Sequence, residues 1–281
     1  MITILRTIAE VRAWRDSLPS TEKLGFVPTM GALHAGHISL MELARRHADR
    51  TIASIFVNPL QFGPNEDLSK YPRPIEQDLA LLEAAGVDAV FLPPVHELYP
   101  PDASTFVTED SVSSHLCGAV RPGHFRGVTT VVLKLFNIVM PDLAVFGQKD
   151  AQQCVVIERM VRDLNLRVQI LRGPIVREAD GLALSSRNIY LEPADRQAAP
   201  AIFRSLEAAR KAFEGGERDA AALAAIGRAS LAGEPRISPQ YWEVRHPQSL
   251  EPIATIGAEG ALLAVAAHLG NTRLIDNLLL G

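Results

Sequence analysis

Short apolar runs alternate with helix-length segments across residues 24–171. The runs are Leu24–Val27, Thr51–Val57, Val87–Leu92, Ala144–Phe146 and Leu166–Leu171, rich in branched and aromatic side chains and almost wholly apolar. Apolar character on both faces of a strand means that both faces are covered. The intervals Ile38–Arg50, Pro74–Ala85, Gly127–Met140 and Ala151–Leu164 read as helices. Parallel strands need long crossovers, and helices supply both the crossover and the cover. An α/β fold around a parallel sheet is therefore expected. Sheets of this kind bind ligands beyond the carboxyl ends of their strands. Polar residues recur at those ends: His34 and His37, Asn58 and Gln61, Lys149 and Asp150. A shared cleft is expected there.

The character changes after Gly173-Pro174. Arg177–Asn188 is polar and contains glycine, Pro193–Phe213 and Arg218–Leu231 are alanine-rich and helical, and Tyr241–Arg245 and Ala261–Ala266 read as strands. The expected division is residues 1–175 as an α/β domain and 176–281 as a smaller α+β domain. A chain of 281 residues has room for both. With 47% hydrophobic and 21% charged residues it is not a disordered chain. Its net charge of -4 argues against broad nucleic-acid binding. Cys117 and Cys154 stand in no metal or redox spacing and are expected as free thiols. The residues from Met1 to Arg6 carry no basic segment leading into an apolar signal core, and Lys134 interrupts the long apolar stretch Val128–Met140. No membrane segment and a cytoplasmic location are expected.

Four windows carry candidate chemistry. In Pro28-Thr29-Met30-Gly31-Ala32-Leu33-His34-Ala35-Gly36-His37 a strand hands over to a helix. A helix start offers unpaired N–H groups and a positive dipole end, so imidazoles there can share an anion with the backbone. A turn with two surface histidines is the plainer alternative. In Gly147-Gln148-Lys149-Asp150-Ala151-Gln152-Gln153, Lys149 can neutralise phosphate, Gln153 can recognise a polar substrate, and Asp150 is expected as the helix N-cap. In Leu184-Ser185-Ser186-Arg187-Asn188, two hydroxyls and a guanidinium can clamp phosphate oxygens. In Asn58-Pro59-Leu60-Gln61, neutral amides suit hydroxyl or carboxylate groups. Asp78 could orient its neighbours or lie on a helix surface, and Asn65-Glu66-Asp67 reads as a solvated turn.

Other phosphate cradles fail on spacing. No P-loop precedes a Gly-Lys-Ser or Gly-Lys-Thr, and Gly31 and Gly36 do not complete a dinucleotide fingerprint. The remaining histidines form no ligand set with His34 and His37, so no protein-held metal is expected; magnesium would come mainly through substrate phosphates.

Taken together, these windows resemble the pantoate–β-alanine ligase family. The likeness also rests on Ser54–Gly63, Tyr71-Pro72-Arg73, Arg121-Pro122-Gly123-His124-Phe125-Arg126-Gly127-Val128 and Phe146–Asp150. His-x-Gly-His alone marks a broader nucleotidyl-transfer superfamily. The resemblance implies a homodimer with a Rossmann-like ATP-binding domain, and a reaction through pantoyl adenylate that yields pantothenate, AMP and pyrophosphate. It implies that His34, His37, Lys149, Ser185, Ser186 and Arg187 handle the phosphates. It further implies ATP contacts at Pro28, Thr29, Met30, Gly31, Gly147, Gln148, Asp150, Val176 and Leu184. Gln61 and Gln153 would hold pantoate, Asn58 would lie beside the β-alanine route, and Arg121 and His124 fall on a pocket loop. The chain departs from common family residues at Ala35, Gln77 and Leu184, none of which is a proposed phosphate group. Another adenylyltransferase with a phosphorylated acceptor, or a non-catalytic nucleotide-binding module, would share the first window but not the whole set.

Overall fold

The computed structural model describes residues 2–64, 66 and 68–281. The first part of the chain runs β1 (Thr3–Leu5), α1 (Ile8–Ser17), β2 (Leu24–Thr29), α2 (Ala35–His47), β3 (Arg50–Ile55), α3 (Ile75–Ala84) and β4 (Ala89–Phe91). It continues through α4 (Val95–Leu98), α5 (Leu116–Val120), α6 (His124–Val139), β5 (Leu143–Gly147), α7 (Ala151–Asp163) and β6 (Gln169–Gly173). The remainder is α8 (Pro193–Ala198), α9 (Ala201–Glu214), α10 (Ala220–Ala232), β7 (Ile237–Arg245), β8 (Ala261–Leu269) and β9 (Thr272–Leu280).

The first six strands form one parallel sheet in the order β1-β4-β3-β2-β5-β6. From β2 the chain builds outward to β3 and β4 on one side, and β5 and β6 fall on the other. The order thus reverses between β2 and β5, paired at Gly25–Leu143 and Phe26–Ala144. A crevice opens beyond the strand ends at such a reversal. One sheet face packs on α1, α6 and α7, where Phe136 stands edge-on to both Phe26 and Phe146, with ring centroids 6.4 and 6.3 Å apart. The other face packs on α2 and α3 through Val27, Met41, Leu82 and Val145. This is the Rossmann-like arrangement of a parallel sheet with helices on both sides.

The antiparallel sheet β7-β8-β9 packs on α9 and α10 around Trp242. The indole of Trp242 donates to Ser205 at 2.9 Å. Three boundaries differ from the sequence reading. Pro193–Phe213 is two helices, because Pro200 has no N–H to continue the first. The first crossover helix starts at Ala35 rather than Ile38, which puts His37 inside its first turn. Strands β1 and β9 and helix α1 were not foreseen: β1 is only three residues long, and β9 interrupts its apolar pattern with Asp276 and Asn277.

Gly127 brings α6 against the loop after β3. A Cβ there would lie 2.4 Å from the Leu60 carbonyl oxygen and 2.7 Å from the Gln61 nitrogen. Gly127→Ala is expected to destabilise the fold by about 1–3 kcal/mol through overpacking against backbone. Urea unfolding would register this as a lower midpoint at an unchanged slope.

Candidate active site

At the end of β2 the chain must turn sharply to enter α2. Gly31 has φ +82°, and a Cβ there would meet an Asp78 carboxylate oxygen at 2.9 Å. Asp78, only 1% exposed, accepts from the Ala32 and Leu33 nitrogens at 2.9 and 2.7 Å and so holds the turn. Burial pushes its carboxyl upward in pKa, and these two N–H groups pull against that. The Thr29 hydroxyl donates to the Ser54 carbonyl and accepts from the Gly31 nitrogen, tying the turn to β3. Asp78 is therefore an orienting group rather than a surface residue.

His34 and His37 follow. The Gly36 nitrogen donates to His34 Nδ1 at 3.2 Å, and the His34 nitrogen donates to His37 Nδ1 at 3.3 Å. The two imidazoles thus cap their own helix, with ring centroids 4.1 Å apart. With Nδ1 accepting, the network assigns the proton of each neutral ring to Nε2. Desolvation and the nearby Lys149 ammonium lower His34 from 6.5 to about 4. Desolvation and the adjacent His34 lower His37 from 6.5 to about 3. Near neutral pH the pair offers two uncharged N–H donors, so cationic charge in this chamber comes from Lys149, Arg187 and the Glu66-paired Arg121 rather than from imidazolium.

Beyond β3, Asn58 is 1% exposed and fully committed. Its Nδ2 donates to Gln61 Oε1 at 3.1 Å and to the Gly127 carbonyl at 3.0 Å. Its Oδ1 accepts from the Tyr99 hydroxyl at 2.9 Å and the Leu60 nitrogen at 3.3 Å. Asn58 lines the chamber, and within the protein its amide is taken up by these four bonds. Gln61 Nε2 donates to Met30 Sδ. The Gln61 carbonyl accepts from His124 Nδ1 at 2.9 Å and Arg121 Nη2 at 3.3 Å. Arg121 also forks onto Glu66 at 2.6 and 2.7 Å. Glu66 is thus ion-paired rather than the solvated turn residue expected, while Asn65 and Asp67 of that turn lie outside the described residues. Desolvation and Arg121 together lower His124 to about 4.

Across the reversal point, β5 ends at Gly147 and a single 3₁₀ turn, Gln148–Asp150, leads into α7. Asp150 is exposed and makes no side-chain cap bond, against expectation; it closes the 3₁₀ turn with φ -97° and ψ 56°, outside the extended backbone usual for an N-cap. Asn277 on β9 instead holds this turn from the second sheet. Its Nδ2 donates to the Gln148 and Lys149 carbonyls, both at 2.9 Å, and its Oδ1 accepts from Gln148 Nε2 at 3.1 Å. Next to it Asp276, 4% exposed, takes a fork from Arg177 at 2.6 and 2.9 Å. Arg177 lies on the Phe203 ring and begins the segment that returns at Ala183. Leu184 then bonds Val176, the Ser185 hydroxyl caps the turn Ser186–Tyr190 by accepting from the Arg187 nitrogen, and the Ser186 and Tyr71 hydroxyls meet at 3.4 Å.

These walls enclose a chamber of about 230 Å³. The β2–α2 wall contributes Pro28, Thr29, Met30, His34 and His37, and the β3 loop contributes Asn58 and Gln61. Gly147, Lys149, Asp150 and Gln153 line the β5–α7 side, and Val176, Leu184, Ser185, Ser186 and Arg187 close the top. Of the foreseen residues, Gly31 and Gln148 lie behind the lining: one shapes the turn and the other bonds Asn277. An adjoining space of about 860 Å³ opens between the two sheets and shares Lys149, Gln153 and Arg187 with the chamber. Cys117 and Cys154 are free and buried, as expected. Asn277, Asp276 and Arg177 were not singled out from sequence, and Glu66 was read only as part of a turn. Two adjacent buried polar residues within Leu274–Leu280 are the pattern that could have found the first two.

A family model described as pantoate-beta-alanine ligase matches residues 3–279. A curated pantothenate synthetase of Chloroflexus aurantiacus is 56% identical over 277 residues, covering 99% of this chain and 98% of its own. Among solved structures, pantothenate synthetase from Thermus thermophilus superposes with a TM-score of 0.93 at 48% identity, covering 99% of both chains. A pantoate-beta-alanine ligase from Francisella tularensis, complexed with beta-gamma ATP and beta-alanine, gives 0.81 at 34% identity over 99% of this chain and 98% of that one.

The lowered histidine pKa values have a consequence for stability. Unfolded imidazoles take up protons as pH falls through 6.5, whereas folded His34 and His37 resist until about 4 and about 3. Between those limits the unfolded state binds more protons, so stability falls with falling pH. Urea unfolding at pH 7 and pH 5 is expected to show this loss, and it should shrink when both residues become Gln. An undiminished loss in the double variant would place its source elsewhere.

Proposed function

The chain belongs to the pantoate–β-alanine ligase family, and on that premise we propose how its residues carry out the ATP-dependent condensation of pantoate with β-alanine. A pantoate carboxylate oxygen attacks the α-phosphorus of ATP. The bond from that phosphorus to the bridging oxygen breaks, giving pantoyl adenylate and pyrophosphate. The β-alanine amine then attacks the acyl carbon, loses a proton and displaces AMP. The substrate supplies the nucleophile, so the protein's task is positioning and charge stabilisation.

The observation that carries the residue assignment is the convergence of two Nε2–H donors, one ammonium and a Ser-Ser-Arg segment on a strand-order reversal. His34 and His37 donate as neutral groups to phosphate oxygens. Lys149 offsets the charge that grows on departing pyrophosphate, and Ser185, Ser186 and Arg187 cover it. Val176 and Leu184 provide apolar wall for the base. Pro28, Thr29 and Met30 form the floor under the nucleotide, Gly31 shapes the turn behind them, Gly147 allows its close approach, and Asp150 reaches the ribose. Gln61 and Gln153 hold pantoate. Asn58 acts one step back, fixing Gln61 rather than touching β-alanine.

Residues 1–175 would then bind ATP and pantoate, with 176–281 as the cover. Among the described residues Asp150 is the one carboxylate lining the chamber, and the other donors suit phosphate. Mg2+ would therefore be held mainly through the phosphates, where it would neutralise charge. The reading extends to a cytoplasmic homodimer with no nucleic-acid or membrane partner. Among the described residues no helix is long and apolar enough to cross a membrane.

Purified protein with ATP, Mg2+, pantoate and β-alanine should form AMP and pantothenate in equal amounts; AMP without pantothenate would count against the ligase. Lys149→Ala should slow pyrophosphate release while leaving the fold intact, and equal rates in variant and parent would remove that role. Gln61→Ala should weaken pantoate binding by about 1–3 kcal/mol with ATP binding largely kept. Calorimetric titration of each substrate separates the two effects.

A further inference from the structure

We propose that Asn277 is a positioning residue for Lys149, so that the second sheet sets the geometry of adenylate formation in the first. The proposal rests on the phosphate role given to Lys149 above and extends it to a side chain that lies outside the chamber lining.

Gln148–Asp150 is a single 3₁₀ turn with poorer bond geometry than an α-helix, and no side-chain cap bond fixes the start of α7. Asn277 gives both amide hydrogens to two successive carbonyls of this turn, one of them that of Lys149 itself. Its remaining atom, Oδ1, takes the Gln148 side-chain amide. Only an amide can donate twice and accept once in this arrangement. A carboxylate of the same shape would face two carbonyl oxygens without a proton to share.

The clasp is anchored at both ends. The Asn277 nitrogen donates to Asp276 Oδ1 at 2.8 Å, and Asp276 is held by the Arg177 fork. On the other side, Gln148 Oε1 accepts from Arg172 at 3.4 Å, and Arg172 is ion-paired with Glu158 on α7. Asn277 is 3% exposed, so water does not compete for these bonds. Arg177 also begins the segment that carries Ser185–Arg187. One pair of adjacent residues on β9 therefore fixes the backbone from which the Lys149 side chain springs on one wall and the start of the phosphate cover on the other.

A small error in ammonium placement is costly when transition-state charge is stabilised by position alone, by about 10- to 100-fold. The test is single-turnover pyrophosphate release at saturating ATP and pantoate. It is run on the parent, Asn277→Ala, Asn277→Asp, Lys149→Ala and the Asn277→Ala/Lys149→Ala double variant, with circular dichroism and melting temperature on each. The expected result is a loss of about 10- to 100-fold in both Asn277 variants. The pantoate requirement should not change, attack of β-alanine on preformed adenylate should be affected less, and the double variant should be no slower than Lys149→Ala alone. A folded Asn277→Ala with the parent rate overturns the proposal. So do deficits that multiply in the double variant, or equal losses in both half-reactions with a raised pantoate requirement, which mark a merely structural residue. If Asn277→Ala does not fold, Asn277→Asp tests the same two carbonyl bonds without loss of side-chain volume, and Gln148→Leu, which removes the third bond that orients the amide, must show a smaller loss confined to pyrophosphate release; an unchanged rate in both overturns the proposal equally. A parent protein without pantoate-dependent pyrophosphate release would instead defeat the ligase reading itself, and a fully active Lys149→Ala would defeat the role of Lys149 and with it the clasp's purpose.

Discussion

The parallel pairing of β2 with β5 is the constraint on which the rest of the molecule depends. At that pairing the strand order reverses, so the chains leaving β2 and β5 diverge to opposite sides of the sheet. The gap between them cannot be filled by either crossover helix. It is lined by a helix start carrying His34 and His37 and by a tight turn carrying Lys149. A nucleotide phosphate chain needs donors converging from two sides, and this is the place in the sheet where backbone topology provides two sides.

Irregular backbone at such a site must find hydrogen-bond partners of its own. Three buried side chains supply them. Asp78 takes the N–H groups of the turn after β2, Asn58 ties the loop after β3 to α6, and Asn277 takes the carbonyls of the turn after β5. Each has the chemistry its turn requires: a carboxylate where N–H groups point inward, and an amide where carbonyls do. None is a phosphate-facing group, yet each fixes the chain that carries a substrate-facing one. The molecule divides its polar residues between those that meet substrate and those that hold the backbone behind them.

The electrostatics follow the same division. Burial keeps His34 and His37 neutral and directs their remaining protons through Nε2. Donors that carry no charge can contact phosphate without competing with Lys149 for the same counter-charge. A positive pair of imidazoles 4.1 Å apart beside an ammonium would repel itself in a partly dry chamber. Burial and this proximity together set the protonation of the histidines, and no spacing along the chain expresses either.

Much of this is legible in the sequence, and for an identifiable reason. Alternating apolar runs and helical segments report burial on both faces of a sheet, which is a local property of composition and period. The windows at 28–37, 147–153 and 184–188 are legible because strand ends and helix starts are sequence-local events. The sequence marks Asn58 but not its bonding, since its four bonds go to Tyr99, Leu60, Gln61 and Gly127, and two of those partners lie far away in the chain. Asp150 reads as a cap because its type and position suit one; the 3₁₀ turn that it closes is held by Asn277, from the far end of the chain. The sequence by itself determined the sheet, its cover and the residue types that face a phosphate. The tertiary structure alone decided which of those residues are free to meet a ligand and which are spent on backbone, because hydrogen-bond saturation depends on partners that only folding brings within roughly 3 Å of one another.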